Sequence, residues 1–341
     1  MNAVLRCCCC LIPRYRLNMK AIVQDRYCSL DALELRDLPT PVAAGGQVLV
    51  RVRATCVNPP DWAGVTGVPY VVRTVFGLLK PRNPIRGSDL SGTVEAVGPN
   101  VTRLHVGDDV FGTARGTFAE YVVTGENDLA PKPVDVTFEQ AAAVPMSGLT
   151  ALQGLRDVGK VQPGQKVLII GAGGGIGTFA VQIAVLLGAR VTGVCSTSKV
   201  DLVRSIGAER VIDYTRETVT AGGERYDLIL DNVSKISLPR LRTLLTPTGM
   251  LIPNGGRFDK RVLANGLVLL VQAPLLSLFG SKNIRTIRLA PSLQDWLVLK
   301  GAMESGAVIP IVGRTYPLSE TAEAITSFAQ GHARGKIVIT V

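Results

Sequence analysis

The stretch Lys166-Val167-Leu168-Ile169-Ile170-Gly171-Ala172-Gly173-Gly174-Gly175-Ile176-Gly177 decides the fold. Four consecutive apolar residues after Lys166 suit a strand buried on both faces. The five glycines among the next seven positions fit neither a strand nor a helix interior. From Ile176 on, Phe179, Ile183, Ala184 and Leu187 recur at helical spacing, and Gly188 predicts the helix stop. Strand, glycine turn and helix are the parts of a phosphate-binding βα unit. Glycine lets backbone N–H groups approach a pyrophosphate, and the helix N-terminus offers it unpaired donors and a partial positive charge.

Gly171, Gly174 and Gly177 stand three apart, and Ile176 occupies the place of the third glycine in the commoner G-x-G-x-x-G spacing. Ala189 to Cys195 then reads as a second strand, which completes a βαβ unit of about 30 residues. Sites for NAD usually carry an acid about 20 residues past the glycines, bonded to the ribose 2′-OH. Here Cys195-Ser196-Thr197-Ser198-Lys199 holds that place. Hydroxyls and a cation suit a 2′-phosphate, so the expected cofactor is NADPH.

At 341 residues the chain has room for two domains. A net charge of +10 invites a nucleic-acid reading, but the bases are scattered and aromatics make up only 5%. No nucleic-acid partner is expected. Of seven cysteines, Cys7 to Cys10 are contiguous, and Cys28, Cys56 and Cys195 are isolated. With only His105 and His332 beside them, which read as surface residues, no metal site is expected. The expected compartment is the reducing cytoplasm. Residues 1–18 read as a disordered leader or an over-extended start, because the apolar patch from Cys7 to Ile12 is too short for a secretory core; a lipidated or targeting leader is the lesser alternative.

From Met19 to Pro145 short strands alternate with Gly, Pro and Asp turns, which predicts a compact barrel-like domain without a long helix before Phe138. In Gln47 to Ala54, Val48, Val50, Val52 and Ala54 share one face and arginines the other. After Thr137 the pattern becomes αβ alternation, with strands at 210–213, 226–231 and 249–253 and helices at 199–206 and 238–245: a doubly wound parallel sheet. A last strand is expected at 284–289, a helix at 293–305, and β structure again at the end. Val262 to Phe279 carries no charge. It reads as buried or dimer-facing helix, with membrane-surface contact and insertion as the alternatives.

The order of these parts resembles the medium-chain dehydrogenase/reductase superfamily, in its zinc-free quinone oxidoreductase branch, which includes zeta-crystallin. The similarity runs from Met19 to Val341. It rests on Val57-Asn58-Pro59-Pro60-Asp61, Gly87 to Gly98, Gly148-Leu149-Thr150-Ala151, Gly174-Gly175-Ile176-Gly177, Val211-Ile212-Asp213-Tyr214 and Arg334-Gly335-Lys336. The resemblance implies an α/β protein with a GroES-like β-barrel-type catalytic domain at 19–145, completed by 291–341, and a Rossmann domain at 146–290. It also implies a homodimer through the edge strand near Ile284 to Leu289.

Zinc-dependent relatives carry Cys where this chain has Asn58, His-Glu where it has Ser88-Asp89, and a four-cysteine lobe where it has only Gly112 to Glu120. The resemblance therefore implies zinc-independent reduction of a carbon that is already electrophilic, in a quinone or an α,β-unsaturated carbonyl. Two alternatives stay open: an NADPH-binding protein with little turnover, and a membrane-associated reductase of a lipophilic quinone.

By resemblance, Asn58 and Asp61 face nicotinamide and substrate, and Thr150 lies near the nicotinamide. Gly174, Gly175, Ile176 and Gly177 hold the pyrophosphate, and Ser196 and Lys199 the 2′-phosphate. Tyr214 lies along the adenosine ribose, and Asn232 and Gly255 sit at later strand ends. Blander readings accompany four of these. Asn58 can simply make a turn, Asp61 can be an N-cap, Tyr214 a surface aromatic and Lys199 a solvated lysine. Some relatives carry an active-site Tyr two residues after the position of Asp61. Here Trp62 and Ala63 follow, which leaves Tyr70 or solvent as the source of a proton.

Overall fold

The computed structural model describes residues 18–220, 222–255, 284–331 and 333–341. The apolar stretch Val262 to Phe279, residues 1–17 and His332 lie outside the described residues. Asn18, grouped above with the leader, opens the first strand and pairs with Pro39.

The glycine stretch folds as its pattern predicts. Strand β8 (Lys166–Ile170) is followed by the turn and by helix Gly175–Leu186. Val167 and Ile169 face one core with Phe179, Ala180 and Ile183, while Leu168 and Ile170 face a second with Val194 and Leu241. A strand that buries both faces must be central, and β8 is. With β9 (Arg190–Cys195), β10 (Arg210–Asp213), β11 (Tyr226–Asp231) and β12 (Leu245–Pro253) it forms a parallel sheet of order β10-β9-β8-β11-β12. Successive strands run outward from β8 to β10, and the chain then returns to β11 on the other side. The carboxyl ends of β8 and β11 therefore flank the crevice where strand order reverses.

Three boundaries differ from the sequence reading. The helix near residue 238 ends at Arg242, and β12 begins at Leu245 rather than Gly249, because a register shift lets Leu245 pair with Tyr226. Residues 284–289 form no strand: only Ile284 bridges to Leu251. The third is helix α1 (Pro59–Thr66), eight residues long, in a region expected to lack helices of length. Its two prolines at the start suit the first helical turn, where N–H groups lack acceptors anyway. Gly67, in the left-handed conformation at φ +65°, ends it.

A second sheet, mostly antiparallel, is built on β3 (Gln47–Cys56), which pairs with β4 (Asp89–Val97) and with β6 (Tyr121–Gly125). Val48, Val50 and Val52 are buried with exposed Arg51 and Arg53 opposite, although Leu49 on the arginine face is buried too. The last strand, β14 (Lys336–Thr340), returns to this sheet and pairs antiparallel with the end of β3, Val338 against Cys56. Its start touches the glycine turn, where Gly335 bridges to Gly174. That single strand joins the two halves of the candidate site.

Candidate active site

The first half of the site is made by backbone. Gly171 turns the chain out of β8 at φ +80°. Gly177 lies so close beneath this turn that an added Cβ would stand 2.0 Å from the Gly171 carbonyl oxygen. The Gly174 N–H donates to that same oxygen at 3.0 Å, and Gly174 caps the helix that starts at Gly175. The backbone of Gly175, Ile176 and Gly177 forms the first helical turn, whose N–H groups have no intrahelical acceptor. Gly177 is thus needed for packing, whereas the donors beside it are available to an anion.

Asn232 follows β11 across the crevice, its N–H donating to the Ile170 carbonyl at 3.2 Å. Its Oδ1 accepts from Asn254 Nδ2 at 2.8 Å, while its own Nδ2 is buried without an acceptor. A buried donor left orphaned costs about 1–3 kcal/mol, so this one fits a ligand that brings an acceptor. Gly255 closes the same corner, where an added Cβ would fall 2.5 Å from Val233 N.

Lys199 is not a freely solvated side chain. Its stem lies against Gly173, and its Nζ donates to the Ala333 carbonyl at 2.5 Å. Burial lowers its pKa; Cys195 opposes that and Arg334 adds to it. Ser196 Oγ lies 3.4 Å from Ser198 Oγ at the tip of the same turn. Cys195 to Lys199 contains no acid, but the fold brings Asp213 from the end of β10 to within 2.6 Å of Thr197 Oγ1. That carboxylate also accepts from the Thr215 hydroxyl at 2.7 Å and pairs with Arg216 at 3.5 Å. Tyr214 is anchored by its N–H to the Cys195 carbonyl at 3.1 Å, and its ring is 55% exposed.

The second half of the site is made by side chains. Asn58 is the residue before α1 and is 1% exposed. Its Nδ2 donates to Asp89 Oδ2 at 2.9 Å, and its Oδ1 accepts from Lys336 Nζ at 2.7 Å. Lys336 Nζ also stands 3.9 Å from Asp89 Oδ2, both side chains being buried. The lysine's stem passes the glycine turn, where an added Cβ on Gly175 would meet Lys336 Cδ at 2.9 Å. Asp61 reaches back to accept the Asn58 N–H at 2.7 Å, as an acid in the first turn of a helix does, and it also accepts the Gly87 N–H at 3.1 Å. Asn58 is thus the N-cap, and Asp61, at the third helical position, is its reciprocal partner in a capping box rather than the N-cap itself. Asp89 accepts the Met146 N–H at 3.0 Å, and Thr150 Oγ1 donates to the Met146 carbonyl at 2.7 Å, which links Thr150 to the cluster through one residue.

Two carboxyls share this buried space with one lysine. Burial pushes the Asp61 carboxyl up to about 7 against the pull of two backbone N–H groups, and Asp89 adds to the rise. Asp89 is pushed up by the same burial but only to about 6, because Lys336 and the Asn58 amide hold its charged form. Cys56, whose Sγ donates to the Ile337 carbonyl at 2.9 Å, is pushed up to about 12 by burial and remains a thiol. Tyr70 does not enter the site. It is 62% exposed, with the Arg73 guanidinium 4.7 Å from its ring centre. Lys336 and Asp89 are the residues that sequence reasoning left without a role. Both sit in quoted motifs, yet only the pairing of β14 with β3 and of β3 with β4 brings them to Asn58.

Residues 44–134 match the alcohol dehydrogenase GroES-like domain family, and residues 206–339 match the zinc-binding dehydrogenase family. The mitochondrial NAD(P)H oxidoreductase RTN4IP1 of Mus musculus is 32% identical over 95% of this chain and 89% of its own length. The chain belongs to the medium-chain dehydrogenase/reductase superfamily, in its quinone oxidoreductase branch. Membership makes it an oxidoreductase acting on a small molecule. The chloroplastic NADPH-dependent alkenal/one oxidoreductase of Arabidopsis thaliana is 30% identical over 94% of this chain and 79% of its own length. The quinone oxidoreductase structure from Coxiella burnetii superposes with a TM-score of 0.81 at 27% identity, covering 95% of this chain and 99% of that one.

Proposed function

We propose that this superfamily member is a zinc-independent, NADPH-dependent reductase of quinones or α,β-unsaturated carbonyls. The observation that carries the reading is the Asn58–Asp89–Lys336 cluster. Zinc-dependent relatives have a cysteine thiolate at the position of Asn58; here an amide oxygen is bonded to an ammonium. Amide, ammonium and a single carboxylate make a poor set of zinc ligands beside thiolate and imidazole. Among the described residues no three His, Cys, Asp or Glu side chains converge to hold a metal.

Without a Lewis acid, the substrate's own conjugation has to make its carbon electrophilic. Bound NADPH would supply the hydride, and the first helical turn at Gly175–Gly177, Ser196, Lys199 and the Asn232 amide are the residues that would hold it. The chain's task is then to align the acceptor and to stabilise the oxygen on which negative charge develops. Lys336 is preorganised for that: it is buried, held by the Asn58 amide oxygen, and its ammonium has further N–H donors to offer. Asp61, raised by burial to about 7, keeps a proton within the cluster, and that proton can follow the hydride to the product oxygen. The alternative source is solvent, so no separate tyrosine is required.

For the 2′-phosphate, Lys199 and the serines at 196 and 198 favour NADPH, and the Asp213 carboxylate is occupied by hydroxyls and Arg216 rather than free to take a ribose 2′-OH. The isolated thiols Cys28, Cys56 and Cys195 suit a reducing compartment, cytoplasmic or organellar. We further propose a homodimer through the sheet edge beyond β12, where Ile284 begins to add to the sheet.

The test is NADPH oxidation followed at the nicotinamide absorbance band with a panel of quinones and enones. Acceptor-dependent oxidation by the metal-free protein, with NADPH preferred to NADH, is the expected result. Binding of NADPH with no oxidation across the panel would overturn the proposal in favour of a non-catalytic binding protein.

A further inference from the structure

The segment from Trp62 to Ser88 contains Arg73, Lys80, Arg82 and Arg86 and no Asp or Glu. It leaves the site at α1 and returns to it at Gly87, whose N–H donates to Asp61. Between these points it presents Tyr70, Val75, Leu78 and Leu79 at 62, 70, 68 and 93% exposure. Among the described residues no other ten-residue stretch carries four exposed large hydrophobics. Side chains that cost free energy to leave in water, grouped within one loop, mark an interaction surface.

The loop is built to hold them there. Arg73 stacks on Tyr27 and Tyr70 at 4.4 and 4.7 Å and donates to the Gly67 carbonyl at 3.1 Å. The Phe76 ring is half-buried, with the Arg86 guanidinium 5.1 Å from its centre. The Arg82 N–H donates to the Phe76 carbonyl at 2.8 Å, and Tyr27 Oη donates to the Gly77 carbonyl at 2.5 Å. Gly77, at φ +128°, comes so near the Lys80 carbonyl that an added Cβ would stand 2.1 Å from its oxygen. This fastened turn carries Leu78 and Leu79 at its apex, with exposed Lys80 and Arg82 directly behind.

We propose that this loop docks the protein on an anionic lipid bilayer, with Leu78, Leu79 and Val75 entering the acyl boundary and Lys80 and Arg82 at the headgroups. Two observations choose lipid over other occupants. A leucine exposed at 93% protrudes, and a protruding apolar tip needs a deformable apolar medium rather than a flat surface. A second copy of the chain that set this loop against itself would bring cation against cation with no acid within the segment to offset them. Apolar insertion combined with basic residues is the pairing that gives stable, salt-sensitive membrane contact. The surface lies at the mouth of the segment that leads to Asp61, so a docked molecule would face lipophilic acceptors in the bilayer. The docking does not depend on the nature of that acceptor.

The test is flotation of the full-length protein with vesicles of phosphatidylcholine alone or with one third phosphatidylglycerol. Flotation with the anionic vesicles, weakened by high salt, is expected, together with at least a tenfold loss in partitioning for L78S/L79S and about tenfold for K80E/R82E. Unchanged melting temperatures verify folding, and Leu79→Ser alone serves where the double variant is unstable. No flotation with anionic vesicles, or flotation untouched by L78S/L79S, overturns the proposal. So does self-association in sedimentation that L78S/L79S abolishes while no vesicle is bound.

Discussion

The two halves of the site are made in opposite ways. The glycine end is local in sequence: one strand, one turn and one helix provide the donors, and the side chains are absent because the backbone must come close. The Asn58 end is assembled from four remote segments, at Asn58–Asp61, Asp89, Met146–Thr150 and Lys336, and its groups are side chains buried together at an energetic cost. A site made of backbone is rigid and specific for phosphate at little cost in charge burial. A site made of buried carboxyls and a lysine holds charge and protons ready, and it is correspondingly sensitive to the loss of any member.

The sharpest way to break the glycine end is Gly177→Ala. The new methyl would stand 2.0 Å from the Gly171 carbonyl oxygen, which is backbone and cannot rotate away. Helix and turn must separate, so NADPH affinity should fall by about a hundredfold or more, with a lower melting temperature, as overpacking costs about 1–3 kcal/mol or more. Fluorescence titration of NADPH and a thermal melt check both. Near-normal binding would show that the turn is looser than its geometry says.

At the other end, Lys336→Met keeps the volume and removes the cation from two buried carboxyls. Turnover with quinone or enone should fall about a hundredfold, the range typical of a lost electrostatic donor, while NADPH binding changes far less. Stability should fall as well, by up to about 3–5 kcal/mol where Asp89 is ionised. Because Asp89 protonates near 6, the loss should shrink at pH 5, and Asp89→Asn in the K336M background should restore part of it. A variant that loses stability equally at pH 5 and pH 8 would assign Lys336 to packing alone.

The difference between the halves also explains what could be read from sequence. A pattern confined to Lys166–Gly188 fixes strand, turn and helix because its spacings are those of the local geometry. Asn232 and Gly255 were accessible by the same logic, as residues just past strand ends. Lys336 was not, because one polar residue opening the apolar run Ile337-Val338-Ile339 looks like an ordinary strand start. Its burial follows only when β14 lies between the glycine turn and β3. Asp213 carries no weight in the linear pattern for the same reason: absent from the end of β9 in sequence, it arrives there through the pairing of β10 with β9. Helix α1 is not legible because Asn58 beside two prolines suits a simple turn equally well, although proline at the first turn also begins helices.

A milder change sharpens the cofactor side. Lys199→Gln removes the cation beside the glycine turn without filling space. NADPH affinity should drop about tenfold while NADH affinity stays within about twofold, since a charge-assisted hydrogen bond is worth about 1.5–3 kcal/mol. Equal losses for both cofactors would place Lys199 at the pyrophosphate or in the Ala333 contact instead.

The smallest effect separates the two halves by pH. Asp61 and Asp89 are raised by burial to about 7 and about 6, above the ordinary unfolded value of about 4. Between those values the folded chain binds more protons than the unfolded one. Their contribution to stability is therefore fully present below about pH 4 and is lost as pH rises through 6 and 7. Carboxylates elsewhere act in the opposite sense. Thr197 and Thr215 hold Asp213 low, and hydrogen bonds from Arg156, Gln153 and Ser292 outweigh burial at Asp295, so those groups lose stability as pH falls. The absolute pH profile mixes the two sets, and the difference between wild type and Asp61→Asn isolates one of them. Asn at 61 still accepts the Gly87 or Asn58 N–H but cannot ionise, so the variant should gain a few degrees relative to wild type between pH 5 and pH 8. The gain should be absent at the glycine end, where G177A shows the same deficit at every pH. A wild-type-minus-variant difference that stays flat across this range would mean that Asp61 is ionised throughout, and the proton assigned to the cluster would then have to come from solvent.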